Sequence, residues 1–415
     1  MRFASFLIAA FLVAPQSPPD RFSVKLLQNR YPLSVKSGRL AGAGASILQS
    51  AIAQSRFVVL GEVHEIAQTP QFWTSVCNAA AAAGFHTMAL ETGPLVAAEL
   101  ENWAREPDGA SQLAAFDKRF PQSINIYNTR EEFAALQQCA RAGGGAFRLW
   151  GLNQENLGSA GLILTRVLAS GVGNDARAAL QQLLQKNDAA HRKALQSGSI
   201  FDLFMIAADD KELAAAAALL EKDGSREAQS LFASLVESHE INRAPPVEYG
   251  NARRRERLMK TNFAADYARA EQTDPAPPKV LLKFGAFHGY RGLNPVHGSG
   301  IGNYVAELAE AHGAQSLHIF LLPVKGQQPI YPRVGQPAQL STFNFADQPS
   351  WHYLQPIFSN LLPQDWTMFD LRALRQEARV TPGRTDAIDP ALTTLLFGYD
   401  ILIVVPEGAP ATAIE

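Results

Sequence analysis

From Phe57 onward the chain alternates short apolar runs, bounded by glycine, proline or charged residues, with stretches of helical period. That alternation predicts an α/β fold, a mainly parallel sheet flanked by helices. The runs Phe57 to Glu62, His86 to Glu91, Phe147 to Gly151, Lys279 to Phe287, Ser316 to Leu322 and Asp400 to Val405 read as strands. Helices are expected near Gln71 to Ala83, Leu95 to Arg105, Glu131 to Ala142 and Tyr304 to His312. Between the third and fourth of these strands the chain turns Ala-, Leu- and Gln-rich with no convincing strand, so residues 159–272 read as a helical insertion. Phe201, Leu203, Phe204 and Met205 near its middle suit the core of a helical pair, or the wall of a channel for an apolar substrate. Asp274 to Pro278 (DPAPP) closes the insertion, and Pro323 to Thr381, with weak periodicity, reads as a long irregular connection. Residues 20–158 and 279–415 are then the two parts of one α/β core.

Hydrophobic residues make up 47% and charged residues 18% of the chain, enough apolar side chain for a sizeable core, which excludes wholesale disorder. Lys and Arg number 37 against 39 Asp and Glu, a net charge of −2, so nothing marks a polyanion partner and nucleic acid is not expected. Cys77 and Cys139 sit in no CxxC or Cys/His cluster and read as buried or singly paired. Met1 and Arg2 precede an apolar run from Phe3 to Ala14 and a Pro-rich stretch, so residues 1–19 read as a secretory signal. A periplasmic or secreted location follows as the expectation. That run falls short of the ~20 apolar residues that span a bilayer, and no later stretch is longer, so no membrane-spanning segment is expected once the signal is removed.

Open parallel sheets bind ligands outside the carboxyl ends of their strands, which directs attention to polar residues just after an apolar run. In FVVLGEVHE, Glu62 and His64 lie two apart and point the same way on extended chain. Such a carboxylate either orients the imidazole and raises its basicity, or joins it in holding a divalent metal. In TMALETGP, Glu91 ends a strand, where a carboxylate is costly unless paired, although it also suits the start of the following helix. LWGLNQEN places Asn153 and Glu155 after a strand, as candidate substrate-binding residues. VLLKFGAFHGYRG delivers His288 beside glycines that permit close approach, with Arg291 as a further substrate-binding candidate. On the helix NARRRERLMKTN, Arg255, Met259 and Asn262 share a face while Arg257 points roughly opposite. A guanidinium on that face suits clamping a carboxylate or stabilising an oxyanion.

Taken in order, GEVH, ALETG, RRRERLMKTN, GAFH and the closing YDILIVVP resemble the superfamily of erythromycin esterase-like hydrolases, ChaN-like haem-uptake lipoproteins and Tiki/TraB metalloproteases. The resemblance runs from Phe57 to Val405 and is nearest to the esterase branch in the Arg255 to Asn262 stretch and the tail. It implies that Glu62, His64, Glu91, Arg255 and His288 form the pocket. The single residue between Glu62 and His64 looks more like the ChaN and Tiki spelling. Esterase-branch members place a second histidine soon after the first motif, whereas none occurs from Glu65 to Pro70, and Asn153 stands where that branch tends to carry Asp. No cysteine lies in the export signal, so a lipid anchor is not expected.

Three readings follow. In the leading one an exported hydrolase cleaves an ester or amide of a small molecule with no cofactor: His64 or His288 activates water, a carboxylate orients it, and Arg255 stabilises the oxyanion. No GxSxG elbow supplies a nucleophile. In the second, His64, His288, Glu62 and Glu91 hold Zn²⁺ or Mn²⁺. The third is a binding protein for haem or a hydrophobic metabolite. HGSGIGN, with Gly298, Gly300 and Gly302, is not a GxGxxG dinucleotide loop and instead suits the pocket mouth beside His288.

Overall fold

The computed structural model describes residues 21–246, 248–273, 276–331, 333–363, 366–378 and 388–414. The expected export signal lies outside the described residues. Among those described, one sheet of ten strands organises the chain. They are β1 Arg30–Lys36, β2 Arg39–Ala41, β3 Phe57–Glu62, β4 Phe85–Leu90, β5 Arg148–Gly151, β6 Lys279–Gly285, β7 Ser316–Ile330, β8 Gln339–Asn344, β9 Trp366–Asp370 and β10 Ile401–Gly408. Their spatial order is β2-β1-β9-β10-β7-β3-β6-β4-β5, with β8 folded back on β7. The pairs from β10 to β5 are parallel, while β1, β2, β8 and β9 pair antiparallel. The chain leaves β3 for β4 and β5, then returns to insert β6 between β3 and β4, so the carboxyl ends of β3, β6, β4 and β5 open side by side on one edge.

Period-two alternation divides the central strands between two apolar layers. Val58, Leu60, Met88, Leu90 and Leu281 face helices Ala43–Gln54, Gln68–Ala81 and Arg130–Gly143. Phe57, Val59, Ala89, Val280 and Leu282 face helices Tyr249–Thr273 and Ile301–Ala311. Towards the β9 side, Phe320, Leu402 and Val404 are covered by helix Pro390–Gly398. Burial on both faces is why these strands read as continuous apolar runs. Helix Tyr249–Thr273 lays Met259, Phe263 and Tyr267, four apart, onto the sheet, where Phe263 stacks on Tyr267 and meets Phe57 edge-on at 5.8 Å. Each such buried ring stabilises the docked helix by about 2–3 kcal/mol, and the same i, i+4 stripe carries Arg255 to the carboxyl edge of the sheet.

Helices Ala160–Ala169, Asn174–Ser197, Asp210–Asp223 and Arg226–Arg243 enclose a separate core that includes Ile163, Leu180, Leu213 and Phe232. Phe204 and Met205 join that core, while Phe201 is 72% exposed. Cys77 and Cys139 form a disulfide across 62 residues, tying helix Gln68–Ala81 to helix Arg130–Gly143. A loop of that length gives about 4 kcal/mol in the chain-entropy account. No helix among the described residues is long and apolar enough to cross a membrane.

The segment expected as an irregular connection contains regular structure: β7 continues to Ile330, turns into β8, and β9 follows. Beyond Pro323 only Pro329 is buried in β7, and no side chain of β8 is, so no apolar run marks these strands in the sequence. β6 stops at Gly285, and the expected end of that strand is a 3₁₀ turn, Ala286–Gly289.

Candidate active site

Glu62 closes β3 with its side chain 1% exposed, and the backbone reverses at Glu65, which takes a left-handed φ of 62°. Between them His64 donates its Nδ1–H to Glu62 Oε1 at 2.8 Å. Against the same carboxylate lies Lys283, the fully buried lysine of β6, whose Nζ is 2.9 Å from Glu62 Oε1 and 2.9 Å from Glu132 Oε1. The ammonium also sits 5.1 Å over the Tyr127 ring. Burial opposes ionisation of Glu62, but Lys283 and then His64 outweigh it and hold the carboxyl below its ordinary value. Glu132 goes the other way, because its burial exceeds what Lys283 returns and Glu62 repels it.

Glu91 follows β4 and is the hub of the site. Its Oε1 accepts from Arg255 Nη2 at 2.6 Å and its Oε2 from the Gly285 N–H at 2.6 Å. Two imidazoles face it: His64 Nε2 lies 3.6 Å from Oε2 and His288 Nε2 lies 3.5 Å from Oε1. His288 in turn donates Nδ1–H to Glu256 Oε1 at 2.5 Å, and Glu256 Oε2 accepts from the Ile301 N–H at 3.0 Å, at the start of helix Ile301–Ala311. Burial works against the Glu91 anion, yet His288, His64, Arg255 and the Gly285 amide together hold its carboxyl far below the usual range. For His64, enclosure favours the neutral ring, but Glu91 and then Glu62 prevail and raise its pKa. The result is two histidine–carboxylate dyads turned towards one shared anion.

Gly285 leaves room for this arrangement. A Cβ there would lie 2.8 Å from His64 Nε2 and 3.4 Å from Glu91 Oε2, although its backbone, φ −53° and ψ 144°, suits any residue. Glycine is needed at this position for space alone.

The five residues Glu62, His64, Glu91, Arg255 and His288 are therefore gathered at one place. Asn153 reaches the site indirectly, its Oδ1 accepting from Arg255 Nε at 3.0 Å beside Gln154 Oε1 at 3.2 Å. Glu155 is buried and engaged elsewhere. Its Oε1 takes the Leu95 N–H at 2.7 Å, packed against Gly93, where a Cβ would fall 2.2 Å from its carboxyl carbon. It caps helix Pro94–Arg105 from within, and burial pushes its carboxyl up to about 7 against the pull of the Leu95 and Val96 amides. Arg291 is also removed from the site: it pairs with Asp400 at 3.0 and 2.8 Å and reaches Ser316 at the start of β7, the opposite edge of the sheet. The turn after His288 carries the chain back there, fixed by His318 donating to the Gly289 carbonyl at 2.8 Å.

Three members of the site escaped sequence reasoning. Lys283 was detectable as a lone lysine inside the apolar run VLLKFG, since a fully buried lysine requires anionic partners. Glu256 was the neighbour of Arg255 on the same helix. Glu132 carried no comparable signal, standing in an ordinary helix first turn whose Thr129 cap accepts the Glu132 N–H.

Of the donors expected for Zn²⁺ or Mn²⁺, His64, His288 and Glu91 face one another, and Glu62 does not join them. Glu62 lies on the Nδ1 side of His64, away from Glu91, and is engaged by Lys283, while Glu91 is engaged by Arg255 and a backbone amide. Among the described residues, the group close enough together to share an ion is Asp210, His239 and Glu240 in the helical subdomain. Both of its acids already pair with Arg243, at 2.9 and 3.0 Å.

A cavity of 1270 Å³ opens beside the His288–Glu256 dyad. Its walls are helix Tyr249–Thr273 on one side and the chain from Phe287 to Ser299 on the other, and Arg255, Glu256 and His288 border it.

No protein-family model matches the sequence, and no curated protein matches it. Solved structures do share the fold. A Bacillus cereus protein is 15% identical, with a TM-score of 0.57 over 96% of this chain and 100% of its own. A mutant of the erythromycin esterase EreC in its open conformation is 16% identical, with a TM-score of 0.56 over 89% of this chain and 95% of its own. A succinoglycan biosynthesis protein is 13% identical, with a TM-score of 0.55 over 95% and 98%. At such identities the likeness establishes the α/β architecture, and the chemistry has to be argued from the site.

Proposed function

We propose that this chain is an exported hydrolase that cleaves an ester or amide of a small molecule with water activated by the Glu62–His64 dyad. The observation that carries the proposal is the pair of Nε2 atoms, His64 and His288, at 3.6 and 3.5 Å from the two oxygens of Glu91, each ring held from behind by its own carboxylate. A ring fixed at Nδ1 by an anion presents its other nitrogen in one orientation and with raised basicity, which is what a general base needs. His64 is the more accessible of the two, 36% exposed against 15%.

In the reaction, His64 Nε2 takes a proton from water as its oxygen adds to the carbonyl carbon. The negative charge that develops on the carbonyl oxygen falls to Arg255, whose Nη2 and Nε are spent on Glu91, Asn153 and Gln154 and whose Nη1 has no partner among the described residues. Donors of this kind contribute about 3 kcal/mol to the barrier when well placed. Collapse of the tetrahedral intermediate expels the alcohol or amine, which receives a proton from an imidazolium. Glu91 keeps both rings and Arg255 in register and no step needs a covalent intermediate or a metal.

Export is supported by the charged and apolar start of the sequence and by the Cys77–Cys139 disulfide, because such bonds persist in oxidising compartments. The test is a panel of esters and amides offered to the purified mature chain. Turnover of at least one of them supports the proposal. If none is hydrolysed, a role in binding a hydrophobic ligand takes its place.

A further inference from the structure

The helix that supplies Arg255 also carries a second set of cations, on a different face. Arg253, Arg257 and Lys260 stand at i, i+4 and i+7 of helix Tyr249–Thr273, so they form one stripe, and all three line the cavity beside His288. Their neighbours on the helix are spent: Arg254 pairs with Glu237 at 2.6 Å and Glu240 at 3.2 Å, and Arg255 pairs with Glu91. The stripe is not neutralised in this way. Arg253 lies over the Tyr249 ring, Lys260 donates to the Ser299 carbonyl, and none of the three makes a salt bridge among the described residues. Glu256, the acid on the same stretch, is occupied by His288 and the Ile301 amide.

Across the cavity the wall mixes exposed apolar side chains with Asn294, His297 and Ser299. Phe287, Leu293 and Val296 are 46%, 59% and 51% exposed and project from the segment that carries His288. Cations along one wall and exposed apolar side chains along the other, with His288 and Glu256 in the lining, select a particular class of molecule. We infer that the cavity binds an anionic amphiphile, and that the preferred substrate is an ester or amide whose acyl part bears a carboxylate or phosphate beside an apolar segment. This rests on the hydrolase reading for its chemistry but not for its binding. A cation facing an anion in a half-enclosed groove gives a charge-assisted contact, and three on one stripe accommodate either headgroup without bidentate geometry.

Calorimetric binding of dodecanoate and of dodecanol to the mature chain at low salt tests it directly. Dodecanoate is expected to bind about tenfold tighter or more than dodecanol. That preference should shrink towards unity in about 0.5 M salt, and in the double variant Arg257→Gln/Lys260→Gln. Equal binding of the two probes, or a preference that neither salt nor charge removal reduces, overturns the inference. A kinetic arm uses the mono-4-nitrophenyl ester of octanedioic acid and its methyl-capped diester, the first expected to show the lower KM. Phosphate competition against dodecanoate distinguishes the headgroups: displacement by millimolar inorganic phosphate favours a phosphate-bearing substrate, and its absence favours a carboxylate. Preference for dodecanoate with neither ester hydrolysed leaves this inference standing and removes the hydrolase reading. Hydrolysis of both esters alike with no dodecanoate preference does the reverse.

Discussion

The Nζ atom of Lys283 lies 2.8 Å from Glu62 Oε2 and 2.9 Å from Oε1, the oxygen that also takes the His64 Nδ1–H, with both side chains 1% exposed. This ion pair determines which way the Glu62 carboxyl faces, and hence which nitrogen of His64 is left for chemistry. Replacing Lys283 with Met leaves Glu132 without its cation and Glu62 with His64 alone, a loss of about 3–5 kcal/mol. Urea unfolding should show that loss, and the double variant Lys283→Met/Glu132→Gln should recover part of it. A Lys283→Met protein as stable as the parent contradicts this account of the network.

Because Glu91 and Glu62 raise the pKa of His64 above its ordinary 6.5, the ring stays protonated to a higher pH than a free imidazole. A general base must be neutral, so kcat/KM should rise with pH through that raised value, its half-maximum above pH 6.5. Glu62→Gln removes one of the two anions and should move the acidic limb about one unit lower. A limb that stays in place after Glu62→Gln excludes His64 as the titrating base.

Gly285→Ala adds one methyl group 2.8 Å from His64 Nε2, at a backbone geometry alanine accepts. Turnover should fall about 100-fold, since displacing a reacting group by about 1 Å has that effect, while the circular dichroism spectrum stays that of the parent. Full activity in the alanine variant places the reacting water elsewhere.

Glu155, with its carboxyl raised from 4.5 to about 7 by burial, binds its proton more tightly folded than unfolded. Stability should therefore fall as pH rises through that window, since the unfolded state holds fewer protons there. Glu155→Gln removes this dependence and keeps an oxygen for the Leu95 amide. Relative to the parent, the variant should gain about 2 kcal/mol between pH 5 and pH 8, read from chemical denaturation. A pH-independent difference refutes the buried-acid assignment.

The strands that support the site were legible because burial on both faces makes them unbroken apolar runs, as at Phe57 to Leu60 and Val280 to Leu282. β1, β8 and the far end of β7 were not, since only Leu33 and Pro329 are buried among them and no apolar run marks them. Strand ends also indicated where polar residues would collect, which is how Glu62, Glu91 and His288 were found. Position after a strand does not fix the direction of a side chain, however: Glu155 turns inward to a helix terminus and Arg291 is carried to the other edge. Lys283 and Glu132 show the converse, polar groups inside the layers whose partners come from 151 residues apart, a relation that only the folded chain reveals.

In the proposed mechanism His64 activates water without a metal. Turnover of the best ester should be measured on the parent and on His64→Ala, each before and after exhaustive chelation, with elemental analysis of the same samples. The account predicts that chelation leaves the parent's rate intact and that His64→Ala loses it by about 100-fold or more. A stoichiometric metal whose removal abolishes turnover, or a His64→Ala protein that still hydrolyses the ester, contradicts it.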